Sequence, residues 1–324
     1  MTRSTITLIG MGGTIGFTEG AEGAAPTLAA GELAAAHDLP NHRIATVDLA
    51  AASSIALDAG KVMELARLIS RAACEPTTAG VVVSHGTDTL EESIYLVALT
   101  CARPDVPVVF TAAMRHEGAL GADGAANLRD ALCAAATPAL AGVGPVVAID
   151  GAIHAARFVE KGHSTSLAAF SSPSAGAIGE IVEGRATLWF QPRYDDFIAA
   201  LPTGALPRVE IVPMVMGASR HLLEAVIESA PAGIVVDGFG AGHVVPSLVP
   251  LLARARQGGI EVVVASRCAA GTTLRRTYAV PGTEIDLQRH GLVLAGSISA
   301  LKARLRLAVA IGAGAATEAA FPVE

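Results

Sequence analysis

Short apolar runs rich in β-branched residues recur at 5–9, 79–84, 106–111 and 145–150, each bounded by glycine, proline or polar residues. Runs of that length and punctuation predict buried strands. Between them the period changes. Val62, Leu65, Ala66 and Ile69 fall at i, i+3, i+4 and i+7 behind Asp58, which predicts a helix over 58–71 with Asp58 as its N-cap. Thr89-Leu90-Glu91-Glu92 has the form of a capping box and predicts a second helix start. Strands that are apolar throughout and alternate with helices require a parallel sheet covered on both faces. The predicted class is α/β, with an open, mostly parallel sheet in an N-terminal domain and a second, smaller α/β domain after it.

The boundary is read from punctuation. A strand-like segment follows Glu183-Gly184-Arg185, and the chain then runs through Leu201-Pro202-Thr203-Gly204-Ala205-Leu206-Pro207. This predicts a linker at 201–208 between a catalytic domain at 1–200 and a smaller domain at 209–324. In the latter, strands are expected at 209–212, 233–236, 260–265 and 292–295, with helices near 246–256 and 300–311. The stretch 16–31 is Gly/Ala-rich without a periodic pattern and is expected to be a mobile loop.

Composition narrows the function. Hydrophobic residues make up 52% and charged ones 16%, enough apolar surface for a core and too little charge for disorder. The net charge is −7 with no basic cluster, which excludes nucleic acid as the expected ligand. The uncharged part of 132–149 is broken by Pro138, Gly142, Gly144 and Pro145, so no membrane span is expected there. Behind Arg3 the apolar run 6–11 is too short for a signal-peptide core, which predicts a cytoplasmic protein. Cys74, Cys101, Cys133 and Cys268 show neither CxxC pairing nor metal-ligand spacing and are expected as buried free thiols.

In open α/β sheets ligands bind beyond the carboxyl ends of strands, so the residues just after each strand carry the candidate chemistry. Gly10-Met11-Gly12-Gly13-Thr14-Ile15-Gly16 fails as a dinucleotide fingerprint, because Ile15 stands where the third glycine belongs. Its glycines let the backbone approach a ligand closely, with the Thr14 hydroxyl at the crevice. The alternative for Thr14 is a hydrogen bond within its own turn. In Ser84-His85-Gly86-Thr87-Asp88-Thr89 a strand runs straight into a helix, whose first N–H groups favour an anion or developing oxyanion. Thr87 and Asp88 add a hydroxyl and a carboxylate, or else Asp88 or Thr89 is simply an N-cap. His85 is read as a packing and backbone-positioning residue. Two more places are Thr111-Ala112-Ala113-Met114-Arg115, with Ala122-Asp123-Gly124 and Asn127 behind it, and Glu160-Lys161-Gly162-His163. If Lys161 lies near Asp88 rather than in solvent, an adjacent hydroxyl can exchange a proton with its amine.

Taken together in this order, Gly12-Gly13-Thr14-Ile15, His85-Gly86-Thr87-Asp88-Thr89 with Glu91-Glu92, Ala113-Met114-Arg115, Ala122-Asp123-Gly124 with Asn127-Leu128, and Lys161 resemble the bacterial-type L-asparaginase/glutaminase family. The resemblance extends to Ser299–Leu307, similar to that family's C-terminal helix. It implies hydrolysis of the side-chain amide of L-asparagine, with weaker action on glutamine, through an acyl-enzyme on Thr14. Thr87, Asp88 and Lys161 complete the implied catalytic set. Lys161 and Thr87 relay protons, the Thr87 N–H helps hold the oxyanion, and Asp88 binds the substrate ammonium. Ser53, Ser54 and Gly86 contribute to substrate binding, and the Ala113 carbonyl accepts from the leaving amide. The resemblance further implies a homotetramer of tight dimers, and the chemistry needs no metal or organic cofactor.

The sequence departs from the family at three places. Pro26 stands about where the loop tyrosine of the family falls. Gly238-Phe239-Gly240-Ala241-Gly242-His243 lacks the asparagines of the family's GxGNGN. Tyr278 occupies the place of a glutamate that reaches a neighbouring subunit's site, and is read as a substrate-binding residue or as a half-buried core tyrosine. The alternative from another class is a silent asparagine- or aspartate-binding protein that lacks activation of Thr14.

Overall fold

The N-terminal apolar run forms a strand buried on both faces: Ile6 and Leu8 on one side and Ile9 and Met11 on the other are all 0% exposed. This double burial is why the run is continuous rather than alternating. The structure is a computed structural model that describes residues 4–20, 23–101, 104–192, 202 and 204–322. Arg3, Tyr194, Leu201 and Thr203 lie outside the described residues. The chain divides into two units, Met1–Phe197 and Ile198–Glu324.

The strands of the first unit are β1 (Thr5–Gly12), β2 (Phe17–Gly20), β3 (Gly23–Pro26), β4 (Arg43–Ala52), β5 (Thr78–Ser84), β6 (Val108–Thr111), β7 (Val146–Ile149), β8 (Ala152–Ala155), β9 (Glu160–Lys161), β10 (Phe170–Ser171), β11 (Gly179–Val182) and β12 (Arg185–Leu188). Its helices are α1 (Ala30–Ala35), α2 (Ala59–Cys74), α3 (Leu90–Thr100) and α4 (Gly124–Ala135). The main sheet has the order β12-β11-β8-β7-β6-β5-β1-β4. From β4 to β7 neighbouring strands are parallel. Beyond β7 they are antiparallel, so the α/β class with a mostly parallel sheet holds. Two-residue turns make two of these reversals, β7 to β8 and β11 to β12: Asp150-Gly151 and Glu183-Gly184 all have positive φ, the conformation that matches the twist of a tight hairpin.

Asp58 caps α2 by accepting a bond from Lys61 N at 2.8 Å, and Val62, Leu65, Ala66 and Ile69 are buried as their spacing predicts. Three local expectations are corrected. The Thr89 hydroxyl does not cap α3 but donates to Ser54 O at 3.0 Å, so the capping-box pattern serves a long-range tie. The stretch 16–31 is not a featureless loop: β2 and β3 pair as a hairpin, Phe17 opposite Pro26, and α1 begins at Ala30. Strand β4 has no counterpart in the sequence reading, because it is the sheet edge and its mostly exposed or half-buried Arg/Thr/Asp/Ala pattern offers no apolar run.

In the second unit β13 (Val209–Pro213), β14 (Gly233–Gly238), β15 (Glu261–Ser266) and β16 (Val293–Leu294) form a parallel sheet in that order. Its helices are α5 (Arg220–Glu228), α6 (Val249–Gln257), α7 (Glu284–Arg289), α8 (Ala300–Gly312) and α9 (Thr317–Ala320). Alternate residues of β15 divide between two layers. Val262 and Val264 pack with Leu223 and Leu252, while Val263 and Ala265 pack with Ala303 and Leu307.

The four cysteines are free, but only Cys101 is buried; Cys74 at the end of α2 and Cys268 in the loop after β15 are exposed, and Cys133 is intermediate. The expectation of buried thiols holds for Cys101 alone, whose Sγ lies against Ala66 O and Ser70 of α2. Among the described residues no helix is long and apolar enough to cross a membrane.

Candidate active site

Apart from Lys161, the candidate residues of the first unit sit on turns at the carboxyl ends of parallel strands. After β1, Gly12 and Gly13 turn with φ of 78° and 85°, and Thr14 opens a single 3-10 turn, Thr14–Gly16. After β5, His85 and Gly86 lead to Thr87 and Asp88 just ahead of α3. After β4, Ser53 is extended and Ser54 opens another 3-10 turn, Ser54–Ala56.

Three of these turns meet at their glycines, Gly13 against the main chain of Gly86 and Gly86 against the side chain of Ser54. A Cβ on Gly13 would lie 2.3 Å from Gly86 Cα, and one on Gly86 would lie 2.6 Å from Ser54 Oγ. Gly13 N also donates to Ala52 O at 3.1 Å. Glycine is required at both positions, since any side chain would separate the turns that carry Thr14, Thr87 and Ser54.

Lys161 ends the two-residue strand β9, and its ammonium completes the cluster. Nζ donates to Thr87 Oγ1 at 2.9 Å and meets Asp88 Oδ1 at 2.6 Å. The lysine side chain is 15% exposed and the Asp88 side chain 55%, so the amine is sheltered while the carboxylate stays open to a ligand. Glu91 holds this lysine's backbone, its Oε2 accepting from Lys161 N at 3.1 Å. The sequence reading showed Glu91 only as part of the helix start, and nothing in its spacing announced a partner 70 residues away.

His85 is fully buried and its Nδ1–H donates to Gly86 O at 2.8 Å, fixing the Gly86–Thr87 peptide next to the one that contacts Gly13. Burial pushes its pKa down to about 4, against the weaker upward pull of that bond, so the ring is neutral at ordinary pH. A neutral imidazole bonded to its own turn is the positioning residue the sequence suggested.

Ala113 lies fully buried on the turn after β6. Asp123 accepts from both Met114 N, at 3.0 Å, and Arg115 N, at 2.8 Å. Asn127 donates to Ala112 O and to Asp123 Oδ2, each at 3.0 Å. Asp123 and Asn127 were visible as a motif, but not what they hold. Thr27 was not singled out, yet its N–H and that of Leu28 both donate to Gly16 O at 2.9 Å, tying the end of the hairpin to the turn that Thr14 opens.

Tyr278 belongs to the second unit and is 49% exposed. Its N–H and that of Thr277 donate to Glu284 Oε1 at 2.5 and 2.7 Å, and its ring meets His243 edge-on at 5.7 Å. Glu284 is fully buried, which by itself raises its pKa, but the backbone donors and His243 Nε2 at 3.3 Å hold the carboxyl below its ordinary value. Sequence reasoning missed Glu284, because a lone glutamate at a helix start reads as a surface charge.

An α/β fold with the Thr87 hydroxyl and the Lys161 amine gathered beyond strand ends has its candidate site where open α/β sheets bind small ligands. Comparison with known proteins narrows it: residues 5–194 match the N-terminal asparaginase family and residues 208–320 the glutaminase/asparaginase C-terminal domain. The chain belongs to the asparaginase family and is an amidohydrolase of the L-asparaginase type, as the motifs had suggested. It is 31% identical over 307 residues to an L-asparaginase of Bacillus licheniformis, covering 94% of each chain. It is 33% identical over 262 residues to a glutaminase-asparaginase of Acinetobacter glutaminasificans, covering 78% of this chain and 76% of that one. The crystal structure of a probable cytoplasmic L-asparaginase from Campylobacter jejuni superposes with a TM-score of 0.85 at 29% identity, covering 98% of this chain and 97% of that one.

Proposed function

We propose that the protein hydrolyses the side-chain amide of L-asparagine to L-aspartate and ammonia, and that of L-glutamine more slowly, through an acyl-enzyme on Thr14. The observation that carries this reading is the Lys161 ammonium bridging Thr87 Oγ1 and Asp88 Oδ1, on a turn locked by Gly86 against the turn of Thr14. Thr14 Oγ attacks the amide carbon; the Oγ–C bond forms, the C–N bond breaks, and the hydroxyl proton leaves with the nitrogen as ammonia. Water then attacks the threonine ester, and its second proton returns to Thr14 as aspartate departs. Lys161 and Thr87 relay the proton of the attacking water, and backbone N–H groups at the start of α3 stabilise the oxyanion.

Asp88 binds the substrate's α-ammonium, while Ser53, Ser54 and Gly86 shape the carboxylate end of the pocket. The Ala113 carbonyl accepts from the leaving nitrogen. Tyr278 contacts the substrate from a second copy of the chain, within a homotetramer built from tight dimers. The reading places the protein in the cytoplasm and gives it a small-molecule amide as its ligand, with no metal or organic cofactor.

Ammonia release from L-asparagine and, separately, from L-glutamine, with Thr14→Ala as control, tests the reading. Release that disappears in the variant is expected. If neither amide is turned over while asparagine or aspartate raises Tm, the protein is a binder that has lost activation of Thr14, and Pro26 in the place of the loop tyrosine becomes the reason.

A further inference from the structure

Asp123 occupies the N-cap position of α4, where an aspartate ordinarily accepts from the helix's own first N–H groups. It makes no such bond. Its two oxygens instead take the successive N–H groups of Met114 and Arg115, at 3.0 and 2.8 Å. Asn127, itself buried, steadies that carboxylate through Nδ2 at 3.0 Å. Asn127 is fixed in turn by accepting from Asp150 N at 3.0 Å, so the arrangement is anchored to the end of β7. A cap worth about 1 kcal/mol is given up so that a charge can face a turn.

The consequence falls on one atom. In a trans peptide the N–H of Met114 and the C=O of Ala113 belong to one plane and point in opposite directions. With the N–H fixed on Asp123, the Ala113 carbonyl is directed away from α4 and cannot rotate without breaking a charge-assisted bond. The carboxylate also polarises the peptide, which raises the electron density on that carbonyl oxygen. We infer that Asp123 is a positioning residue for departure of the leaving nitrogen: it sets the direction and acceptor strength of the Ala113 carbonyl. The inference rests on the proposed acyl transfer and adds to it a residue that acts on only one of its leaving groups.

That selectivity supplies the test. An amide nitrogen carries N–H bonds that the carbonyl accepts as the C–N bond breaks; the oxygen of an ester carries none. Thr14 Oγ forms the same acyl-enzyme from either substrate, releasing ammonia from L-asparagine and methanol from the β-methyl ester of L-aspartate. In Asp123→Asn one of the two oxygens becomes an NH2 that cannot accept, so at constant shape one of the two turn N–H groups loses its acceptor and the polarising negative charge is gone from both. Asp123→Ser keeps a good N-cap residue for α4 while withdrawing the acceptor from the turn.

Both variants and the unaltered protein are assayed for kcat and KM on the amide and on the ester. For both variants we expect kcat on the amide to fall by about 10- to 100-fold with KM changed by less than about threefold, and kcat/KM on the ester to stay within about threefold. Equal losses on the two substrates, or no loss on the amide, overturn the role of Asp123 and leave the proposed function standing. An unaltered protein that hydrolyses neither substrate sinks the proposed function, and this inference with it.

Discussion

Gly13 and Gly86, separated by two successive crossovers that pass through α1, β4 and α2, touch main chain to main chain: a Cβ on Gly13 would sit 2.4 Å from Gly86 N as well as against its Cα. Gly13 also has φ of 85°, where an L side chain is strained. Gly13→Ala is therefore expected to cost about 2–5 kcal/mol, combining backbone strain with overpacking. Urea unfolding measures the cost. A stable variant with full turnover would show that the contact is dispensable.

Lys161→Met removes the bridge to Thr87 and Asp88. Turnover of asparagine should drop by about 10²–10⁴, the range for loss of a proton-relaying group. Stability should change by less than about 1 kcal/mol, because the Asp88 carboxylate is largely solvated and the pair is screened. Steady-state kinetics and Tm, measured on the same preparation, separate the two effects.

Thr89→Val leaves a β-branched residue ahead of α3 but cuts the 3.0 Å bond to Ser54 O. Since that bond anchors the Ser53-Ser54 segment, the expected result is a KM for asparagine raised by about threefold to tenfold, roughly one neutral hydrogen bond, with kcat little changed. Unaltered KM would mean that the serine segment holds its place without Thr89.

The ring of His85 is neutral in the folded protein, with its pKa lowered from 6.5 to about 4. The unfolded chain takes up a proton near pH 6.5 that the folded chain refuses until near pH 4. Stability from this group is therefore full above pH 6.5 and is lost as pH falls toward 4, by roughly 3 kcal/mol. Urea midpoints at pH 7 and 4.5 should fall further apart in the unaltered protein than in His85→Gln. Identical pH slopes in the two proteins would refute it.

Tyr278→Phe keeps the ring against His243 and removes only the hydroxyl. If that hydroxyl reaches substrate in a partner's site, KM for asparagine rises by about tenfold. Unchanged kinetics would leave Tyr278 a packing residue.

Those parts of the fold and site that follow from local rules were legible. Runs such as Val81-Val82-Val83 are apolar because parallel strands are buried on both faces, and Asp58 caps because its neighbours need a donor satisfied. Edge strand β4 escaped because its polar positions face solvent or loops. Thr89 misled because it has a good helix-capping residue's chemistry but gives its hydroxyl to a partner 35 residues away, and the motif that displayed Asp123 did not announce the turn N–H groups it holds. Sequence spacing encodes what a residue is able to bond, and tertiary structure decides which of the available partners it meets. Thr14, Thr87 and Lys161 were recognised as motifs, while the glycine contact that gathers two of their turns became visible only in three dimensions.

The bonds from Lys161 to Thr87 and Asp88 span 74 and 73 residues of chain. The intervening chain carries β6, α4, β7 and β8, and contacts that close loops of that length cost more entropy than the local ones within it. The Lys161 contacts are therefore expected late in the folding of the first unit. A chain that has paired only β1, β4 and β5 already brings the turns of Thr14 and Thr87 together, with no amine yet beside Thr87.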